Sequence, residues 1–141
     1  VPRGAECLTV RNGTWEVSEP LVDNWFFSAG AVMGGYFYAC GTVLAAGAAV
    51  ARFSFATKQW EVLAAMNKRR TAPGAAVVGG RFYVCGGKDM QQQECHSSVE
   101  WLDLSVPPSK AGVQGAWHLL PVTMSAARGH CVAAATPGQD G

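Results

Sequence analysis

Short apolar runs alternate along this chain with glycine pairs and polar residues. Residues 75–78 and 82–85 flank Gly79-Gly80, and another run leads from Trp60 to Met66. Because both residues of a Gly-Gly pair can adopt a positive φ, such a pair favours a tight hairpin turn. Asn12-Gly13 separates two further short runs and is an equally strong hairpin signal. The pattern predicts antiparallel strands, and no segment shows a helical period.

The same pattern recurs 45 positions apart along the chain. The coinciding residues are Trp60 with Trp15, Val62 with Val17, Val77 with Val32, Gly79-Gly80 with Gly34-Gly35, Phe82-Tyr83 with Phe37-Tyr38, and Cys85-Gly86 with Cys40-Gly41. A third copy starts at Trp117: the step from Trp117 to Leu120 equals that from Trp60 to Leu63, and the step from Met124 to Arg128 equals that from Met66 to Arg70. A repeat of this length is typical of solenoids and propellers.

The repeated unit resembles the kelch repeat, in which about 50 residues form one four-stranded blade of a β-propeller. Gly86-Gly87 is similar to the glycine doublet that ends the second strand of the kelch unit. Val99–Asp103 is similar to its valine–glutamate strand, and Trp60 and Trp117 to the tryptophan of its last strand. The resemblance covers roughly Leu8 to Ala135. The first copy departs from it, since Thr42 replaces the second glycine and Trp25 replaces Arg70.

The fold class that the resemblance implies is all-β: a partial kelch propeller of consecutive four-stranded antiparallel blades, with an incomplete ring. The boundaries are residues 7–28 for the end of one blade, 29–66 and 74–121 for two full blades, and 128–141 for the start of the next. The predicted strands of the full blades are 29–33, 36–40, 50–55 and 59–63, then 75–78, 81–85, 98–104 and 116–121; a strand at 131–135 opens the following blade.

The ends of the chain fit an excised part of a longer protein. It starts Val1-Pro2-Arg3-Gly4 without an initiator methionine, and it stops inside a blade in this register. A propeller closes with about four or more blades, so we expect the remaining blades of a longer chain to complete the ring.

Charge and hydropathy exclude several classes of partner. The net charge is +1, which gives no basic field for nucleic acid. Lys68-Arg69-Arg70 is too short for a nucleic-acid or localisation motif and is interpreted as a solvated loop. No apolar run reaches the ~18 residues that a membrane helix needs. We therefore expect no membrane partner and a cytoplasmic location.

The five cysteines do not form a recognisable framework. Their number is odd and no Cys-x-x-Cys pair occurs, so neither disulfides nor a zinc ribbon is predicted. Cys40 and Cys85 occupy equivalent blade positions and should act as small apolar residues. Cys95-His96 and His130-Cys131 lie 35 positions apart and are weak evidence for a metal site. We assign no cofactor and no metal; Cys95, in a polar loop, stays open as a reactive thiol.

The loops are the candidate binding site. In a blade of this type, the connections from the second to the third strand, and from the fourth strand to the next blade, open on one face. This face would comprise Thr42–Ala49, Asn67–Pro73, Lys88–Ser98 and Val122–His130. The second full blade is longer than the first, and four of its extra residues fall in the loop after Gly87. Added loop length costs little stability and often carries binding.

Polar and charged side chains on this face can bind a peptide without requiring one chemistry. The candidate partner-binding residues are Arg70, Lys88, Asp89, Gln91, Gln92, Glu94, His96, Ser97, Arg128 and His130. Two alternatives remain: the loops are solvated and bind nothing, or the arginines donate to backbone carbonyls or to an acid across the blade interface.

The resemblance implies a protein–protein interaction module, whose partner is a protein or peptide on the loop face. The middle blades resemble the substrate-recognition half of ubiquitin-ligase adaptors that pair a BTB domain with kelch repeats. Two other classes stay open: a kelch-bearing enzyme such as a copper radical oxidase, and a cytoskeletal or signalling scaffold. No phosphate-binding glycine loop and no Gly-x-Ser-x-Gly elbow occurs, so no catalytic residue is assigned.

Overall fold

Regular structure in this protein consists of β-strands. The computed structural model describes residues 6–17, 25–43, 48–106 and 115–136, and none of these segments forms a helix. It follows that no described helix is available to span a membrane. The strands are β1 (Glu6–Thr9), β2 (Thr14–Val17), β3 (Trp25–Met33), β4 (Tyr36–Val43), β5 (Ala49–Ser54), β6 (Trp60–Val62), β7 (Gly74–Val78), β8 (Arg81–Cys85), β9 (Lys88–Asp89), β10 (Glu94–Cys95), β11 (Val99–Asp103) and β12 (His118–Leu119).

Strands β3 to β6 form the first four-stranded antiparallel sheet, in the order in which they occur along the chain. Phe37 pairs with Val32 on one side and with Phe53 on the other, which fixes the register of the three long strands. Phe53 in turn pairs with Trp60, and their rings lie 5.3 Å apart. On this face Phe53 is buried, Phe37 and Trp60 are half-buried and Val32 is exposed, whereas Tyr38, Cys40 and Val50 on the opposite face are buried, as alternation in the strands predicts.

The second sheet has the order β12-β11-β8-β7 and follows the same plan. Gly79 and Gly80 form the turn between β7 and β8 with φ values of 53° and 74°, so the predicted hairpin is confirmed. Phe82, Val84 and Leu102 are fully buried on one face of this sheet. The connection from β8 to β11 contains an additional two-stranded hairpin, β9-β10, which the sequence pattern did not predict.

The two sheets pack face to face. Their first strands, β3 and β7, are adjacent. Tyr38 of the first sheet meets Phe82 of the second with 5.8 Å between ring centroids, and Phe82 also contacts Trp117. Trp117 Nε1 donates a 2.8 Å hydrogen bond to the carbonyl of Ala64. Tyr38 and Trp117 therefore lie between the two sheets, where their large rings are buried.

Three details differ from the predicted strands. The strand expected at 116–121 is reduced to His118–Leu119, and residues 131–135 are not a strand, although Cys131 N donates to the Ala72 carbonyl. Trp15 and Trp60 coincide in the repeat, yet Trp15 is 63% exposed because its sheet has only β1 and β2 among the described residues. The predicted loop residues 44–47 and 107–114, and the last five residues, lie outside the described part of the chain.

Candidate functional site

Three loops meet at one end of the second sheet. Thr71 and Lys88 exchange two backbone hydrogen bonds of 2.9 Å, which join the loop before β7 to the start of β9. The segment after β12 joins them, because Arg128 N donates to the His96 carbonyl at 3.1 Å and Gly87 N donates to the Arg128 carbonyl at 2.9 Å. We call this surface the loop face and define it as residues 67–73, 86–98 and 122–131.

A buried ion pair lies directly under the loop face. The side chains of Arg70 and Glu100 are both fully buried, and Arg70 Nε donates to Glu100 Oε1 at 2.8 Å. Arg70 Nη1 donates to the carbonyls of Gly86 (2.6 Å) and Ser98 (3.0 Å), and Nη2 donates to Ser98 Oγ (2.8 Å). A buried charge is tolerated only when it is paired and hydrogen-bonded, and this arrangement meets both conditions.

Glu100 also holds the connection between the two sheets. Its carboxylate accepts backbone N–H bonds from Asn67 at 2.9 Å and from Lys68 at 3.3 Å. Asn67 Nδ2 donates to the Trp117 carbonyl at 3.0 Å. Glu100 of β11 and Trp117, which precedes β12, thus hold the loop before β7 in place through hydrogen bonds.

Arg70 consequently supports the loop face and does not form part of its surface. Of the alternatives for the arginines, Arg70 follows the one in which the side chain donates to an acid and to backbone carbonyls. With four hydrogen bonds inside the chain and no exposed surface, it cannot reach a partner, and it is left out of the surface proposed below.

The β9-β10 hairpin projects exposed side chains from a fixed backbone. Asp89 is only 7% exposed, and its Oδ1 accepts the N–H groups of Gln91 (2.8 Å) and Gln92 (3.1 Å). The backbone hydrogen bond from Gln92, and to a smaller extent that from Gln91, lowers the pKa of the Asp89 carboxyl. Gln93 adopts a φ of 56°, and its Nε2 donates to the Met90 carbonyl at 2.6 Å. Met90 itself is 53% exposed.

The other predicted site residues divide by accessibility. His96 is half-buried, and its Nε2 donates to the carbonyl of Arg69 at 3.0 Å. Ser97 is half-buried, and its carbonyl accepts from Met124 N at 2.8 Å. Lys88 is half-buried, whereas Gln91, Gln92, Glu94, Arg128 and His130 are exposed on the loop face. The candidate residues therefore share one surface, except Arg70 and Asp89, which are turned inward.

Sequence reasoning did not select several accessible residues of the same surface. They are Lys68, Arg69, Met90, Gln93 and Cys95. Met90 was missed because an apolar residue in a polar loop gives no sign of its direction. The sequence signal that could have found them is Asp89 followed by a short polar turn. The Asp89 carboxylate caps this turn, and the resulting hairpin directs residues 90–93 outward.

The thiols differ in their surroundings. Burial raises the pKa of Cys40 to about 12 and also raises the pKa of Cys85, as expected for thiols used as small apolar residues. Cys131 Sγ donates to the Cys85 carbonyl at 3.4 Å, and Cys95 is exposed. Within the described ranges, no three His, Cys, Asp or Glu side chains are grouped so that they could hold a metal ion.

The chain was compared with protein families, curated proteins and solved structures. The family model described as Kelch motif matches residues 69–121, and no curated protein matches. A solved chain titled "Structure of YjhT" superimposes with a TM-score of 0.61 at 22% identity. The match covers 80% of this chain and 32% of that one, so this chain spans about a third of YjhT. At this identity the likeness concerns the fold, and it confirms the predicted class.

Proposed function

We propose that the loop face binds a protein partner through the tip of the β9-β10 hairpin, residues 90–93. The premise is that the chain carries kelch repeats in a partial β-propeller. Kelch repeats are generally protein-interaction modules. The observation that carries the proposal is the hairpin itself: a fixed backbone with outward side chains, inserted at the point where three loops meet.

The hairpin is suited to binding because its conformation exists before a partner arrives. Asp89 caps the turn through two N–H groups, and Thr71 holds β9 through two backbone hydrogen bonds. A preorganised loop loses little conformational entropy on binding, so more of the contact energy becomes affinity. The exposed glutamine amides both donate and accept hydrogen bonds, and the Met90 thioether adds an adaptable apolar contact.

The proposal is tested by exchanging the tip and leaving its supports in place. In the full-length protein, residues 90–93 are replaced by Gly-Ser-Gly-Gly, which keeps Asp89 and places glycine at the positive φ of Gln93. The matched control replaces the exposed residues Ala56 and Thr57 of the β5-β6 turn by Gly-Ser. Partners are identified by affinity purification and quantitative mass spectrometry.

We expect the tip exchange to reduce at least one specific partner by about tenfold, the size of a modest hot-spot loss. The control exchange should leave the partner set unchanged. Circular dichroism and tryptophan fluorescence establish that both variants are folded. An unchanged set of partners after the tip exchange contradicts the proposal.

The more specific role we propose is substrate recognition for a ubiquitin ligase, which rests on the resemblance of Val99–Asp103 and Gly86-Gly87 to adaptor kelch repeats. Its distinguishing property is assembly with a cullin scaffold. The full-length protein should co-purify with a cullin, and the tip exchange should keep the cullin while losing the substrate. Purification without any cullin would favour a cytoskeletal or signalling scaffold.

A further inference from the structure

Among the described residues, the excess of positive charge lies on the loop face. The described residues include nine lysines and arginines and seven aspartates and glutamates. Five of these cations and five of these acids do not lie on the surface of the loop face, and their charges balance. The buried Arg70–Glu100 pair is counted among them. On the loop face four cations, Lys68, Arg69, Lys88 and Arg128, face two carboxylates, Asp89 and Glu94. The entire positive excess of the described residues therefore lies on this one surface.

The cations elsewhere are mostly neutralised by nearby acids. Arg52 pairs with Glu61 at 2.7 Å and Lys58 with Glu16 at 2.9 Å, and the buried pair beneath the loop face is described above. None of the ion pairs found among the described residues includes Lys68, Arg69, Lys88 or Arg128. Arg128 is exposed and Lys68, Arg69 and Lys88 are half-buried, and Arg69 lies close enough to Asp89 to help lower the pKa of that carboxyl.

The acids of the loop face offset only part of its positive charge. Asp89 is turned into the hairpin, where two backbone N–H groups occupy one of its oxygens. Glu94 is the one exposed carboxylate in the described residues of this face. An approaching ligand therefore meets a surface on which positive charge exceeds negative charge, with Glu94 of the hairpin as the exposed acid.

Backbone contacts hold the cations around the hairpin. The Arg69 carbonyl accepts from His96, Lys88 pairs with Thr71, and Arg128 N donates to the His96 carbonyl. A Cβ placed on Gly129 would lie 3.6 Å from both Lys88 Cβ and Cys95 Sγ. Arg69 and Arg128 thus lie in two loops that contact the β9-β10 hairpin, and Lys88 is part of that hairpin.

From this charge distribution we propose that the loop face binds an acidic, extended segment of its protein partner. The proposal rests on the proposed function and adds the chemistry of the partner. Carboxylates of the segment would pair with Lys88 and Arg128, and the exposed glutamines would bind its backbone. Complementary charge of this kind governs association rate and selectivity more than total affinity. Nucleic acid is disfavoured by the near-neutral charge of the whole chain.

The inference is tested with two peptides that differ only in charge. Both are fluorescein-labelled pools of extended 12-residue peptides; one has Glu at alternate positions, and the other has Gln at the same positions. Fluorescence anisotropy at about 20 mM salt, where screening is weak, measures their binding to the full chain. We expect the Glu pool to bind about tenfold more tightly, and raising the salt should weaken it.

Charge reversal identifies the surface. Lys88→Glu combined with Arg128→Glu should weaken the Glu pool by about tenfold or more, and Lys88→Gln with Arg128→Gln by less. Arg11→Glu removes an exposed cation from the β1-β2 turn and is the matched control, with an effect of about twofold or less. Circular dichroism verifies that each variant is folded. Equal losses in the control and in the paired variant would overturn the assignment to the loop face.

The exposed thiol of Cys95 gives an independent measure of where the peptide binds. A saturating Glu pool should slow alkylation of Cys95 by iodoacetamide, measured by mass spectrometry, and leave Cys7 of β1 unaffected. No protection of Cys95 at saturation would overturn the proposed location.

The outcomes separate this inference from the proposed function. If the Glu and Gln pools bind equally, or neither binds, the acidic partner is excluded, while loss of a partner after the tip exchange would still support the interaction role. If single-stranded DNA of equal length binds more tightly than the Glu pool and is lost in the same paired variant, the ligand is nucleic acid and the inference fails.

Discussion

Arg70 and Glu100 show how one residue pair can join separate parts of the fold. They lie 30 positions apart, and together they hydrogen-bond the loop before β7, the end of β8 and the start of β11. Since neither charge contacts solvent, the pair is stable only as a complete network. Losing one partner leaves the other charge buried and uncompensated.

We predict that Arg70→Met destabilises the chain by about 3–5 kcal/mol, the usual cost of breaking a buried ion pair from one side. Arg70→Met combined with Glu100→Leu should cost less than the two single changes together, because the isolated charge is removed. Urea unfolding followed by tryptophan fluorescence measures both.

Lys58→Ala breaks the solvent-exposed pair with Glu16 and serves as the control, with no measurable change expected. If Arg70→Met destabilises the chain no more than Lys58→Ala does, the anchoring role of the buried pair is wrong.

At this scale the sequence predicted the kind of contact but not its partner. The repeat placed Arg70 before an inner strand, where an arginine was expected to donate to an acid or to carbonyls. Nothing in the local pattern distinguishes Glu100 from Glu94 as that acid, because the choice depends on which residues of β11 face inward. Because the acid is the inward-facing Glu100, Arg70 is buried with it and does not belong to the candidate binding surface.

At the scale of elements, prediction succeeded where glycine turns fixed the register. Gly79-Gly80 determines β7 and β8, and Arg81–Cys85 begins and ends as predicted. It failed for β9 and β10, because Lys88–Asp89 and Glu94–Cys95 are too short and too polar to show alternation. The hairpin depends on side-chain capping by Asp89 and on pairing with Thr71, which a local pattern does not reveal.

Gly86 is the element-scale residue that lets the loop after β12 approach β8. Its φ is 65°, and a Cβ there would lie 2.6 Å from Cys131 Sγ and 2.7 Å from the Arg128 carbonyl. We predict that Gly86→Ala lowers stability by about 1–3 kcal/mol beyond the cost of the positive φ, as for other overpacked sites. It should also weaken partner binding, because residues 128–131 must shift.

Gly34→Ala is the matched control, since Gly34 also has a positive φ of 57° but no atom lies within 4 Å of its added Cβ. It should cost about 1–2 kcal/mol from backbone strain alone and leave binding unchanged. Denaturant midpoints and the anisotropy assay compare the two. Equal effects of both substitutions on stability and binding would contradict the close-approach argument.

At the scale of the whole molecule, the described residues form two packed four-stranded sheets and two hairpins, β1-β2 and β9-β10. On the outer face of the second sheet, Trp101 stacks on His118 with 4.4 Å between ring centroids, and Arg81 lies 4.2 Å from the Trp101 ring. Trp101 is only half-buried, and Trp15 on β2 is 63% exposed. Repeat units of this kind bury such faces against their neighbours.

We predict that the isolated chain binds the dye anilinonaphthalene sulfonate and unfolds in a broad transition at low temperature, because no sheet among the described residues covers these aromatic faces. The same repeats within the full-length protein should bind less dye and unfold more sharply. Differential scanning calorimetry and dye fluorescence provide the comparison. A sharp, high-temperature transition from an isolated monomer would contradict this view.

The capped β9-β10 turn has a consequence for how recognition can change over time. Its shape depends on the carboxylate of Asp89 and on main-chain atoms, so the identities of Met90, Gln91 and Gln92 do not determine the surrounding sheet. Under the function proposed above, mutations there would alter selectivity without lowering the stability of the scaffold, so one framework could acquire many specificities. The same separation makes residues 90–92 a position at which a library of foreign sequences can be displayed.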